Sequence, residues 1–233
     1  MTTTPGKFDY YVLALSWQPA FCEGHPGKTE CTSQTGDRYD AKNLVLHGLW
    51  PSRIGDKSHR YGFCGVSKKV RKLDQPGAWC KMPDLNLASD TTKDLAVYMP
   101  GYASCLQNHE WYKHGSCSGL NANDYFQKAS GLVARMSDTG FDKFISANVG
   151  KTVATSDLLA EFEKDFGSGS RKYVNLFCDR GTAGAMLSEV RLYLKKQLPG
   201  DGDLSGALVQ PEKSERGNCP EEVMIDEAGL SAH

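Results

Sequence analysis

The strongest constraint on the fold of this 233-residue chain is its set of eight cysteines: Cys22, Cys31, Cys64, Cys80, Cys105, Cys117, Cys178 and Cys219. They are spread through the sequence and never form a C-x-x-C pair, the mark of a zinc knuckle or a redox dithiol. An even set of this kind reads as four disulfides, with about 105 connectivities open. Disulfides persist in oxidising compartments, so a periplasmic or secreted protein is expected, and the sequence would be the processed form behind an added initiator Met1.

The length accommodates one large domain or two small ones, each able to bury a core. Ten Tyr, nine Phe, four Trp and a net charge of -1 exclude disorder. No stretch approaches the roughly 18 consecutive apolar residues that span a bilayer. The run Tyr10 to Leu15 follows Asp9, is short and has no cleavage site after it, which excludes a signal peptide. Near-neutral charge argues against holding nucleic acid by bulk electrostatics. Locally, Arg53, Lys57, Arg60, Lys68, Lys69, Arg71 and Lys72 face one anion, Asp56, whereas Glu212 to Glu227 carries six acids against Lys213 and Arg216. The basic segment suits a phosphate backbone or, equally, a solvated loop.

Phe8 to Trp17 reads as a buried strand and Asn43 to Leu49 as a second, stopped by Trp50-Pro51. Arg53 to Pro83, without periodicity, reads as a long loop. Helices are expected over Thr91 to Met99, Ala103 to His114, Asn123 to Met136, Phe141 to Asn148 and Ser156 to Phe166. Two further strands, Tyr173 to Cys178 and Leu187 to Lys195, flank the turn-rich Asp179 to Ala185. Strands at both ends of a helical middle indicate one α+β domain.

The segment NHEWYKHGSC, Asn108 to Cys117, concentrates chemistry. On a helix Glu110, Lys113 and His114 project to one side, with His109 on an adjoining strip. A zinc site of the H-E-x-x-H type is disfavoured, because His109 and His114 diverge by about 140° on an ideal helix and Lys113 repels a cation. Gly115 to Gly119 resembles a nucleophile elbow centred on Cys117, but a cysteine from an even set is structural, and an elbow needs a preceding strand. The glycines of Gly167 to Ser170 and Gly200 to Gly206 match no phosphate loop. His47 in HGLWP is the distant partner. Two histidines from separate elements supply the base and the acid that in-line phosphoryl transfer needs.

HGLWP, His47 to Pro51, and HEWYKHGSC, His109 to Cys117, together resemble the two active-site segments of the T2 ribonuclease family, in its order and separation. Phe8 to Cys22 is similar to the N-terminal strand of its bacterial, ribonuclease I-like branch. The resemblance implies a single T2 ribonuclease domain over residues 1–233, a central, mainly antiparallel sheet packed with helices, and a metal-independent endoribonuclease of low base specificity with RNA as its partner. It requires no cofactor, membrane or obligate protein partner, and a monomer is expected. His114 would be the general base, His47 the general acid, Glu110 and Lys113 would support charge on the phosphate, and His109 would bind phosphate. Trp50 is the expected platform for a base, with Tyr61 or His59 a further contact and Trp17, Trp79 and Trp111 read as core. Ser52 stands where many members carry an acid. The resemblance also implies the disulfides Cys64–Cys117 and Cys178–Cys219, and leaves Cys22–Cys31 and Cys80–Cys105 as the remaining pairs.

Overall fold

The computed structural model describes residues 3–56, 61–181, 184–198, 203–211 and 216–229. Six strands among them form one sheet: β1 (Tyr10–Ser16), β2 (Val45–Ser52), β3 (Lys151–Ala154), β4 (Val174–Gly181), β5 (Gly184–Lys195) and β6 (Glu222–Ile225). The apolar run Tyr11 to Leu15 is buried on both faces, so β1 takes a central place. The order is β2-β1-β5-β6-β3, with β4 also paired to β5. Every pairing is antiparallel except β5 with β6. The sheet is therefore mainly antiparallel, in an α+β fold.

The α-helices among the described residues are α1 (Gln18–Gly24), α2 (Thr29–Thr32), α3 (Lys68–Arg71), α4 (Ser89–Tyr98), α5 (Leu106–Lys113), α6 (Ala122–Ser137), α7 (Gly140–Ala147), α8 (Thr155–Phe166) and α9 (Leu204–Ala207), joined by short 3-10 turns. Helix α6 is capped by Asn121, whose side chain accepts from the Asp124 amide at 2.9 Å, and it buries Tyr125, Phe126, Ala129, Leu132, Val133 and Met136 along one face. Leu13 and Leu15 of β1, Phe141 of α7, Phe162 of α8 and Val223 of β6 share one apolar core. Among the described residues no helix is long and apolar enough to cross a membrane.

Several boundaries differ from those expected. Trp50-Pro51 does not stop the second strand: Trp50 pairs with Val12 and Pro51 with Tyr11. β2 ends the strand order, and an edge strand tolerates a residue without an N–H. The helix expected over Ala103 to His114 is broken, because Pro100–Ser104 forms a 3-10 turn and Cys105 adopts a left-handed conformation (φ 63°) before α5 begins. The segment Arg53 to Pro83 is not featureless, since it holds α3 and a 3-10 turn at Trp79–Lys81. The last hairpin reaches into the expected turn, as far as Gly181 opposite Gly184. Elements α1, α2, α9, β3 and β6 were not expected; they span four to seven residues, too few to show a period. Lys57, His59 and Arg60 of the basic segment, Glu212, Lys213 and Glu215 of the acidic one, and Gly200 and Gly202 lie outside the described residues.

The structure joins Cys22–Cys31, Cys64–Cys117, Cys80–Cys105 and Cys178–Cys219. Cys64–Cys117 ties the long segment after β2 to the turn that follows α5, and Cys178–Cys219 ties β4 to the chain entering β6.

Asp142 of α7 gives the fold a pH dependence. Its side chain is buried, and Oδ1 accepts from the Leu44 amide at 2.8 Å while Oδ2 makes no hydrogen bond. Burial pushes the carboxyl up to about 7. The native state therefore binds this proton more tightly than the unfolded chain, so its contribution to stability is full below pH ~4 and is lost as pH rises through about 7. Denaturant unfolding from pH 4 to 8 should show wild-type stability falling relative to Asp142→Asn, with a slope approaching about 1.4 kcal/mol per pH unit. Parallel curves would contradict the assignment.

Candidate active site

The site forms where β2 meets the C-terminal end of α5. In the β1–β2 ladder Ala14 pairs with Gly48 but Leu15 pairs with Leu46, so His47 is the extra residue of a β-bulge. A bulge breaks the alternation of side chains and re-aims one of them. Here the imidazole reaches two carboxylates: Nδ1 lies 2.6 Å from Glu189 Oε2, and Nε2 lies 3.7 Å from Glu110 Oε1.

Glu110 projects from α5 and is fully buried. Its Oε2 accepts from Trp50 Nε1 at 2.8 Å, whereas Oε1 makes no hydrogen bond and stands 3.7 Å from both His47 Nε2 and His109 Nε2. Gly48 makes this approach possible, because a Cβ there would lie 2.0 Å from Glu110 Oε2 and 2.3 Å from Trp50 Nε1. His109 is oriented by a hydrogen bond to Asp74 and packs on Trp79, with ring centroids 4.7 Å apart. His114 stacks on Trp50 at 5.2 Å and 29°, and His47 meets the same indole edge-on at 5.2 Å. These residues and Lys113 line one cleft of about 730 Å³.

Opposing effects set the charges. Burial alone pulls the His47 imidazole down, but the Glu189 hydrogen bond and the Glu110 and Glu189 carboxylates outweigh it and hold His47 above its ordinary value. Glu189 moves the other way: burial raises it, and His47 and Arg191 more than offset that and hold it low. The two groups thus favour the ion pair. Glu110 is pushed up by burial, which His47, His109, the Trp50 hydrogen bond and Lys113 oppose.

All six residues singled out from the two motifs, His47, Trp50, His109, Glu110, Lys113 and His114, line this cleft. The expected divergence of His109 and His114 is corrected: α5 ends at Lys113, His114 takes φ −114° and ψ −59°, and the two rings stand 6.0 Å apart. One ligand atom from each of His109, Glu110 and His114 falls within 4.8 Å of the others, so these three offer a possible metal-binding set. Lys113 in the same cleft opposes a cation there. Trp17 is core and donates to the Asp226 carbonyl, and Trp111 packs at the core margin. Trp79 departs from the core reading, because it lies against His109 with Lys28 Nζ 5.1 Å from its ring centroid. The Tyr61 hydroxyl donates to the Thr4 carbonyl, although its ring still lines the cleft.

Residues 8–200 match the model of the ribonuclease T2 family. The chain belongs to that family. Ribonuclease I of Escherichia coli K12 is 33% identical over 241 residues, covering 96% of this chain and 88% of that protein. RNase MC1 from bitter gourd seeds superposes with a TM-score of 0.63 at 20% identity, covering 93% of this chain and all of that one. A variant of RNase MC1 in complex with 5′-UMP matches equally well, at 21% identity over 93% of this chain and 98% of that one.

Asp74, Glu189 and Arg191 also belong to the site of this T2 ribonuclease and carry no signal in the sequence. Asp74 and Glu189 lie 35 and 142 residues from the histidines they hold, and no motif connects them. Arg191 lies over the Trp50 ring, with Cζ 5.1 Å from its centroid. Tyr10 and Tyr193, an edge-on pair on β1 and β5, extend the cleft wall and were likewise not singled out.

Proposed function

We propose that this T2 ribonuclease is an endoribonuclease that cleaves single-stranded RNA by metal-independent transesterification. His114 takes the proton of the ribose 2′-hydroxyl, whose oxygen attacks phosphorus. The bond from phosphorus to the 5′-oxygen breaks as His47 gives that oxygen a proton. The product is a 2′,3′-cyclic phosphate, which water opens to a 3′-phosphate with the histidines exchanging roles. Lys113 supports the negative charge on the phosphate oxygens, and His109, held by Asp74, binds phosphate. Glu110 presents its free Oε1 toward His47 and His109.

One observation carries this reading: two imidazoles from separate elements meet one indole, each at a centroid distance of 5.2 Å, in a single cleft. Trp50 accordingly acts first as the positioning residue of the site. A base platform needs an open π-face, and His114 and Arg191 already lie over this ring. Ser52, whose hydroxyl donates to the Trp50 carbonyl, offers no carboxylate acceptor to a base, which fits low base specificity. Four disulfides suit a periplasmic or secreted protein.

Incubation with single-stranded RNA in EDTA tests the proposal. Cleavage to cyclic and 3′-phosphate ends is expected, with single-stranded DNA left intact because it lacks the 2′-nucleophile. Loss of RNA cleavage on chelation, restored by a divalent ion, would instead assign His109, Glu110 and His114 to a metal.

A further inference from the structure

His47 is held from the strand across the sheet rather than from its own motif. Glu189, on β5, pairs with Ser16 of β1 and Phe177 of β4. Its Oε2 accepts from His47 Nδ1 at 2.6 Å, and its Oε1 accepts from Arg191 Nε. Arg191, two residues on and therefore on the same face of β5, is itself packed over Phe177, with Cζ 4.3 Å from the ring centroid, and over Trp50. Both carboxylate oxygens of Glu189 are thus engaged, and the side chain is largely buried. A carboxylate at this distance from Nδ1 requires a proton on that nitrogen, in neutral imidazole and in imidazolium alike. The other nitrogen, Nε2, then faces Glu110 Oε1 across the cleft.

We propose that Glu189 is the positioning residue of the general acid: it fixes the proton on Nδ1 of His47 so that Nε2 exchanges a proton with the leaving 5′-oxygen, while Arg191 fixes Glu189. The inference rests on His47 acting as the acid. A positioned carboxylate also stabilises imidazolium, the form the acid needs before the bond breaks. The charged groups acting most directly on His47 are Glu189 and Arg191 from β5 and Glu110 from α5; His109, Lys113 and His114 share its cleft, and Lys28, Glu30 and Asp179 line a second pocket with it. Of these, Glu189 alone makes a direct hydrogen bond to the ring. Its neutral replacement removes one of two carboxylates and leaves Arg191 opposing protonation.

The test compares wild type, Glu189→Gln and Glu189→Asp. Glu189→Gln should lower kcat about 10- to 100-fold with little change in KM, and should move the alkaline limb of the pH–kcat profile to lower pH. Glu189→Asp should recover part of both. An unmoved alkaline limb, with or without loss of kcat, would overturn the proposal, as would a loss confined to KM. Nitrogen-15 NMR of wild-type His47 gives a measurement that does not depend on the variants folding. Neutral His47 must carry its proton on Nδ1, and an Nε2–H tautomer would overturn the proposal even if RNA is cleaved. A wild-type protein that leaves RNA intact while showing the Nδ1–H tautomer would sink the ribonuclease reading instead.

Discussion

Replacing either His47 or His114 with alanine is expected to lower kcat/KM for single-stranded RNA by about 10²- to 10⁴-fold. Each imidazole supplies one proton transfer in the same displacement, so the losses should not multiply. The double variant is expected close to the weaker single variant, as for groups that act as a unit. The structure gives the two residues different surroundings. His47 is hydrogen-bonded to Glu189, whereas His114 stacks on Trp50. With His47 held above its ordinary value, the acid stays protonated to higher pH, and a bell-shaped profile is expected whose alkaline limb lies above the usual imidazole value near 6.5. Steady-state kinetics over pH 4 to 9 provide the check. Either single variant remaining within tenfold of wild type, or activity climbing steadily to pH 9, would remove the two-histidine mechanism.

The second large effect is expected from one added methyl group. In Gly48→Ala the new Cβ would stand 2.0 Å from Glu110 Oε2, 2.3 Å from Trp50 Nε1 and 2.8 Å from Glu110 Cδ. Glu110 is fully buried on a helix, and Trp50 is clasped by His47, His114 and Arg191, so neither can withdraw without breaking their mutual hydrogen bond. Overpacking costs about 1–3 kcal/mol, and a buried carboxylate stripped of its partner costs about 1–3 kcal/mol more. Activity should fall at least ~10²-fold, the scale on which preorganised charge contributes. Unfolding curves and kcat/KM measured together check this. Gly48→Ala with Glu110→Ala, which removes the carboxylate but leaves Trp50 Nε1 2.3 Å from the new Cβ, should regain part of the lost stability but not activity. A Gly48→Ala protein with wild-type stability and turnover would show that the contact is not required.

Much of the site was legible because its residues are packed into two short segments. His47 and Trp50 share HGLWP, while His109, Glu110, Lys113 and His114 share HEWYKHGSC, and all six line the cleft. Long periodic elements such as α6 and α8 were legible too, since their apolar residues recur over 12 residues or more. Short elements escaped for lack of a period. Trp79 escaped for another reason: an aromatic residue in an irregular segment looks like core until the ring it packs against, His109, is placed beside it.

The residue types that carry the chemistry, the α+β class and the presence of four cross-links follow from the sequence alone, because each is expressed in local pattern, composition or count. The aim of His47 does not, because it depends on a one-residue slip in strand pairing that nothing local announces. Its partner Glu189 lies 142 residues away. The glycine of HGLWP acquires its purpose only when Glu110, on α5, brings a carboxylate oxygen to 2.0 Å from where a Cβ would sit. Which atoms meet across such separations is decided by the packing of sheet against helix, and the positions and charges of the histidines are properties of that packing.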